Sequence, residues 1–356
     1  MEANQPLFRV YNGDFGTILG GSPSLSLCLE EDHPFVHEAG VYIPDQDALF
    51  VTSNQFPRDG HKVITINRLV RDKDGVWSRH EITNDVVMAN GGINYASGVL
   101  FCSQGSMTTA SGLVHMAATP PFKTRTLINN YHGRRFNSPN DVVIKKDGSI
   151  WFTDPIYGSE QGICPAPQLP NQVYCFDPNS DSVRAVADGF GRPNGLAFSP
   201  DEQTMYITDT DWIHGDGSTD DTRAASMYVD SRSIRSRCLA RRLLTFVSSY
   251  AYDVIERSGG FFLANRRLFA MADTGIPDGI KCDLAGNVYS GCGDGLNVWN
   301  ASGVLIGKIV VPGGVANFCF GRAGEIFLLN ETKFWIARVD TSVKGALLHN
   351  MGIACA

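Results

Sequence analysis

The sequence predicts an all-β protein with the architecture of a six-bladed β-propeller. Three observations support this prediction: a strand–turn–strand pattern occurs six times, its first four copies begin roughly fifty residues apart, and charged helical runs are scarce. A spacing of roughly fifty residues is long enough for one four-stranded blade, so six blades would occupy the whole chain. We therefore expect residues 1–356 to form a single domain.

Each copy of the pattern consists of two short apolar strands joined by a turn that contains Gly or Asp. The third copy turns at Asp147-Gly148, and Asp-Gly between apolar runs is a strong local signal for a β-hairpin. The predicted strand pairs are 40–43 with 48–51, 92–95 with 99–101, 142–144 with 150–152, 196–198 with 205–207, 280–282 with 288–290, and 318–320 with 326–328. The alternative is a β-sandwich with coincidental hairpins, against which the regular spacing argues.

The composition is typical of a globular protein, with 43% hydrophobic and 19% charged residues. The net charge of −7 argues against a nucleic-acid partner, because phosphate binding requires a basic face. No apolar run approaches the length of a membrane span, and the first residues lack the features of a secretion signal. The nine cysteines are scattered and odd in number, which suggests reduced thiols. We therefore expect a cytoplasmic protein that binds neither nucleic acid nor membrane.

One segment interrupts the repeat between its fourth and fifth copies. Residues 229–250 form a basic block, and removing them would join 225–228 to 251–254 in a continuous strand. The segment could be a basic loop or helix that docks a partner, a tolerated surface insertion, or the translation of an unspliced intron. We favour the intron, because the segment begins with Val229 and ends in Ser-Ser-Tyr directly before a strand.

An Asn, Asp or Glu precedes the first strand in five of the six copies. These residues are Glu38, Asn90, Asn140, Asn194 and Asp278. Because the innermost strand of each propeller blade lines the central channel, equivalent side chains of different blades converge on one axis. Each residue alone is an ordinary turn former, but its recurrence at one position of the repeat favours a shared function.

Convergent side-chain oxygens are the ligands that a hard cation requires. Calcium takes oxygens from carboxylates, amide carbonyls and water, so Glu38 and Asp278 would match its charge while Asn140 and Asn194 add neutral oxygens. The pattern includes no set of His or Cys ligands, which argues against zinc, whereas magnesium and manganese stay open. His37, beside Glu38, could orient that ligand or have a purely structural role.

Longer motifs resemble a known family. The motifs that are similar to the core of the SMP-30/gluconolactonase family are Arg134–Val143, Asp147–Pro155, Pro193–Leu196 and Tyr206–Thr210. The motifs that resemble the fungal lactonohydrolases more narrowly are His37–Ala39, Leu127–Tyr131 and Gly291–Trp299. The resemblance covers nearly the whole chain outside 229–250.

The resemblance implies a calcium-dependent hydrolase that opens aldono- or pantoyl-type lactones. It places Glu38, Asn140, Asn194 and Asp278 at metal-ligand positions, and Asn90 in the substrate pocket near the metal. The implied chemistry is Lewis-acid polarisation of the lactone carbonyl, with Asp278 as the catalytic residue that takes the proton of the attacking water.

Two positions depart from the family pattern. Gln104 stands where relatives generally carry an acidic residue, and neutral Gln cannot relay a proton. Lys281 stands where lactonohydrolases tend to have His, and it is either an anchor for a carboxylate or an exposed strand lysine. His132 could face the pocket mouth or lie in a solvated loop. Together with Asn90, these three residues are the candidate substrate-binding residues.

The alternative to hydrolysis is a cyclase, isomerase or pericyclic catalyst of fungal natural-product biosynthesis on the same metal-bearing propeller. The missing acidic residue at Gln104 favours this alternative, because a polarised carbonyl with few proton-transfer groups would suit it. The four retained ligand positions favour the hydrolase, and a non-catalytic scaffold would need no convergent ligands. We therefore expect a metal-dependent lactonase whose partner is a small-molecule lactone.

Overall fold

A computed structural model describes residues 7–220, 223 and 248–353 of the chain. These residues form five four-stranded antiparallel sheets and one five-stranded sheet, which are arranged as the six blades of a β-propeller and confirm the predicted fold. The first strand of each blade contacts the first strand of the next blade, and the sixth contacts the first. The six first strands therefore surround one central channel.

Blades 1 to 3 add their strands outward in chain order. The strands of blade 1 are Glu38–Ile43, Ala48–Thr52, Ile66–Arg71 and Trp77–Ile82. The strands of blade 2 are Ala89–Tyr95, Gly98–Ser103, Gly112–Ala117 and Thr124–Ile128. The strands of blade 3 are Val142–Ile144, Ile150–Asp154, Gln172–Asp177 and Ser182–Ala187.

Blades 4 and 5 follow the same order, and the N-terminal region supplies outer strands to blades 5 and 6. The strands of blade 4 are Pro193–Phe198, Thr204–Asp209, Ser248–Arg257 and Gly260–Met271. The strands of blade 5 are Ile280–Cys282, Val288–Cys292, Gly295–Trp299, Leu305–Val310 and, at its edge, Phe8–Val10. The strands of blade 6 are Asn317–Phe320, Glu325–Asn330, Lys333–Arg338 and Ser24–Glu30. All six predicted hairpins are confirmed as the first two strands of a blade.

The ring is closed by a strand that precedes blade 1 in the sequence. Ser24–Glu30 pairs antiparallel with Lys333–Arg338, so residues near both ends of the chain share blade 6. An ion pair of 2.6 Å between Arg71 and Glu325 also joins the first blade to the sixth. Both side chains are largely buried, so this contact lies within the seam between the two blades.

The remaining elements are short. Two small hairpins pair Phe56–Arg58 with His61–Val63 and Asn130–Tyr131 with Arg134–Arg135. The helices are Gly13–Leu19, the 3-10 turn Pro44–Gln46, Tyr157–Glu160 and Ala346–Asn350. In the described part of the chain, no helix has the length and apolar character needed to cross a membrane.

The predicted insert lies mostly outside the described residues. Its last three residues, 248–250, are instead the start of the third strand of blade 4, where they pair with 207–209. The strand therefore begins inside the predicted insert, because its backbone pairing with the second strand of the blade extends back to Ser248. For 229–247 the insert stays a prediction, as does the single domain over 1–356.

Candidate active site

The central channel opens into a cavity of about 430 Å³. Five of the eight predicted site residues line it: Glu38, Asn90, Asn140, Asn194 and Asp278. One residue comes from each of the first five blades, at or just before the start of the innermost strand. The structure therefore brings these five side chains together, as their common position in the repeat predicts.

Irregular strand pairing accompanies three of the five residues. The register of the first and second strands shifts near Glu38 in blade 1, near Asn90 in blade 2 and near Asn194 in blade 4. A β-bulge bends a strand locally and re-aims the neighbouring side chain, and such bulges are common beside active sites. The bulges therefore account for polar side chains that face the channel at the start of otherwise apolar strands.

Glycine allows neighbouring blades to approach closely behind the ligand positions. The amide of Gly91 donates to the carbonyl of Asn140 at 2.8 Å, and a Cβ at Gly91 would collide with that same carbonyl. A Cβ at Gly195 would lie only 2.6 Å from the carbonyl oxygen of Asp278. Since only glycine has no Cβ, these positions set the spacing between adjacent ligand residues.

A threonine on the second strand of three blades holds the backbone of the cavity-lining residue of the next blade. The hydroxyl of Thr52 donates to the carbonyl of Asn90 at 3.1 Å, and that of Thr153 donates to the carbonyl of Asn194 at 2.6 Å. Thr208 donates in the same way to the carbonyl of Asp278 at 2.9 Å. The Thr-Asp pair that ends the second strand of blades 3 and 4 is the sequence signal for this arrangement.

Two carboxylates meet at the cavity. Candidate ligand atoms of Glu38, Asp278 and His37 all lie within 4.8 Å of one another. Burial raises the pKa of Glu38 to about 8, with a further contribution from the charge of Asp278. Burial also raises the pKa of Asp278 to about 6. The protein therefore holds two carboxyl groups where their ionised forms are unfavourable without a compensating cation.

His37 is held by a residue that the sequence analysis missed. Its Nδ1 lies 2.6 Å from Oε1 of Glu331 in blade 6. Burial opposes the charged imidazole, but the carboxylate of Glu331 outweighs it and raises the pKa of His37 to about 10. Because the ring is paired with Glu331, the four oxygen-bearing residues remain the better ligand set for a cation.

The oxygens at this site fit a hard divalent cation. Oδ1 of Asn140 and Oδ1 of Asp278 are buried without a hydrogen-bond partner, although buried polar atoms in proteins are normally paired. Glu38 and Asn194 are buried beside the same cavity. Two carboxylates and two amides provide charge and oxygen donors of the kind that calcium binds.

Two predicted substrate-binding residues lie away from this cavity. Gln104 is buried and does not line the cavity, and its side-chain Oε1 has no hydrogen-bond partner. His132 is exposed in the turn of a small hairpin, with a positive φ of 49°, and its ring contacts Tyr131. Of the two positions that the sequence left open for His132, its exposure favours the solvated loop.

Lys281 does not line the cavity of the ligand residues. It lines a second, small cavity of about 30 Å³, farther along the innermost strands than the ligand residues. Its Nζ donates to Oδ1 of Asn317 at 2.9 Å and lies 5.4 Å from the centre of the Phe318 ring. Lys281 therefore forms a contact between blades 5 and 6, and its role as an anchor for substrate stays a prediction.

A buried ion-pair cluster shapes the mouth of the cavity. Arg192 donates to Glu160 through two nitrogens and to Asp211 at 2.7 Å. Glu160 also accepts the amide of Gly215 at 2.7 Å, which ties the helix Tyr157–Glu160 to the loop that lines the cavity. No local sequence pattern identifies the role of this loop, because its contacts join residues far apart in the chain.

Fold and site together define a six-bladed propeller enzyme with an oxygen-rich site in its channel. The sequence model of the SMP-30/Gluconolactonase/LRE-like region matches residues 61–212. Lactonohydrolase oryL of Aspergillus oryzae is 30% identical over 351 residues, which cover 95% of this chain and 75% of that protein. The chain therefore belongs to the SMP-30/gluconolactonase family.

Two further relatives extend the comparison. The gluconolactonase of Zymomonas mobilis is 28% identical over 244 residues, which cover 65% of this chain and 58% of that protein. The solved structure of a gluconolactonase from Xanthomonas campestris superposes with a TM-score of 0.70 at 25% identity, over 95% of this chain and 96% of that chain. The first match supports the family assignment by sequence, and the second supports it by structure.

Proposed function

We propose that this protein hydrolyses lactones with the help of one calcium ion held by Glu38, Asn140, Asn194 and Asp278. The observation that carries the proposal is the convergence of these four side chains on one cavity, with two of their oxygens buried and unpartnered. The names of the relatives, lactonohydrolase and gluconolactonase, support lactone hydrolysis as the activity.

Each residue has a distinct task in the proposed reaction. When bound, the cation supplies Lewis-acid polarisation of the lactone carbonyl. The carboxylate of Asp278 takes one proton from the attacking water, whose oxygen bonds to the carbonyl carbon. The ring C–O bond then breaks, and the ring oxygen leaves as a hydroxyl group that receives this proton. Asn90, half-buried in the cavity wall, offers an amide that orients the substrate.

The proposal is tested by following acid release from a panel of sugar-acid and pantoyl-type lactones with a pH indicator. We expect acid release that a chelator abolishes and added calcium restores, and that Asp278→Asn removes. The matched control is Asp85→Asn, since Asp85 is an exposed aspartate. Acid release that persists at full rate in chelator would overturn the role of the cation.

A second outcome distinguishes the alternative class of enzyme. If every lactone in the panel is inert while calcium still binds, the proposed hydrolase activity is wrong. A cyclase, isomerase or pericyclic catalyst on the same metal-bearing propeller is then the better hypothesis. Such a result would be explained by the buried Gln104, which stands in place of an acidic side chain and cannot relay a proton.

A further inference from the structure

Blade 6 supplies no predicted cation ligand, yet a side chain from its innermost strand contacts one. Asn317 begins that strand and is completely buried. Its Nδ2 donates to Oε2 of Glu38 at 2.6 Å, across the seam where the ring closes. Asn317 therefore contacts one oxygen of the Glu38 carboxylate, while Glu38 itself lines the cavity.

The orientation of the Asn317 amide is determined by two other donors. Its Oδ1 accepts the backbone amide of Phe318 at 2.8 Å and Nζ of Lys281 at 2.9 Å. Since both partners can only donate, this atom must be the oxygen, and the opposite atom must be the nitrogen that donates to Glu38. The amide thus has a single orientation that satisfies all three contacts.

The neighbouring blade leaves room for this side chain. At Gly279, beside Asp278 in blade 5, a Cβ would collide with the amide group of Asn317. The equivalent position of blade 3 carries Asp141, whereas blades 2 and 4 have Gly91 and Gly195. Glycine at residue 279 therefore allows the amide to reach Glu38 directly beneath the ligand residues.

We propose that Asn317 is a positioning residue, which holds Oε2 of Glu38 so that the carboxylate presents its other oxygen to the cation. The inference rests on the proposed function, because Glu38 must be a ligand. Hydrogen bonds to metal-ligating carboxylates fix their orientation, and losing such a partner typically weakens metal affinity about 10- to 100-fold.

The test compares the calcium affinity of the full chain with that of Asn317→Leu by isothermal titration calorimetry. We expect Asn317→Leu to weaken binding about 10- to 100-fold. The matched control is Asn297→Leu, since Asn297 is an equally buried asparagine that does not contact Glu38. Thermal unfolding of each variant without calcium verifies that it is folded, and a merely structural role would lower only that melting temperature.

Asn317→Asp separates hydrogen bonding from charge. The added carboxylate would strengthen cation binding if charge alone mattered, but it cannot donate to Glu38 and repels it. We expect at least about tenfold weaker binding; unchanged or tighter binding in both Asn317 variants would overturn the inference. Failure of the unaltered chain to bind calcium would instead overturn the proposed function.

Discussion

Two buried charged clusters of this molecule differ in how their charges are paired. In the first, Arg192 contacts both Glu160 and Asp211, so each carboxylate has a cationic partner within the protein. In the second, Glu38 and Asp278 lie together, and burial raises the pKa of both. The first cluster is complete in the protein alone and holds a loop, whereas the second is suited to receive a cation. The contrast separates a stabilising cluster from a functional one.

The largest expected effect is the loss of catalytic activity when the channel cluster, Glu38 with Asp278, is altered. Glu38→Gln removes one of the two negative charges that match the cation, and should lower kcat/KM for a lactone substrate by at least about 100-fold. The measurement is initial rates at saturating calcium. Glu256→Gln, at an exposed position, is the matched control and should keep the original rate. Equal activity of the two variants would remove the proposed distinction between the clusters.

The next effect is on the free energy of unfolding when the paired cluster, Arg192 with Glu160 and Asp211, is altered. Arg192→Met leaves Glu160 without its arginine partner and Asp211 with only the more exposed Arg223, 3.7 Å away, and should destabilise the protein by about 3–5 kcal/mol. The measurement is urea unfolding. Arg267→Met breaks an exposed ion pair with Asp253 and should cost at most about 1 kcal/mol. Similar losses of stability in both variants would mean that burial does not determine how much an ion pair contributes to the free energy of unfolding.

Calcium itself should stabilise the folded protein through the channel cluster. At a free concentration about 100 times the Kd, binding adds about 2.7 kcal/mol to the free energy of unfolding. Differential scanning calorimetry with calcium and with chelator measures the shift in Tm. The shift in Tm should vanish in Asp278→Asn and persist in Arg192→Met. The reverse pattern would place the cation at the Arg192 cluster and contradict the proposed site.

The smallest expected effect concerns stability without calcium: neutralising an aspartate should change the free energy of unfolding in opposite directions in the two clusters. Burial raises the pKa of Asp278 to about 6 although the charge of His37 lowers it, so Asp278→Asn should stabilise the calcium-free protein at neutral pH by about 1 kcal/mol. Asp211→Asn removes a charge that Arg192 pairs, and should destabilise it. Chemical unfolding in chelator decides this, and losses of stability in both variants would show that Asp278 has a partner within the protein.

The sequence predicts the repeated part of the fold but not its closure. The hairpin at Asp147-Gly148 is recognisable because its two strands are neighbours in the chain and its turn has a strong local signature. Ser24–Glu30 pairs with Lys333–Arg338, about 300 residues later, so no local pattern identifies its partner. Local signals therefore predict blades, whereas the closing strand depends on a distant partner.

The same distinction applies to the site. Asn140 and Asp278 are predictable because they recur at one position of the repeat. Glu331 and Asn317 are not, since their partners His37 and Glu38 lie at the other end of the sequence. The contact of Lys281 with Asn317 is equally unpredictable, because it joins two blades through residues that no local pattern connects.

Calorimetric titration of calcium into the unaltered chain and into Asn140→Ala tests the convergence of the four blades most directly. Asn140 carries no charge, so the substitution removes one oxygen ligand without altering the electrostatic attraction of the site. We predict one calcium ion per chain, bound at least about tenfold more weakly by Asn140→Ala. A chain that binds no calcium, or binds it equally well without the Asn140 amide, would contradict a metal centre built from the innermost strands.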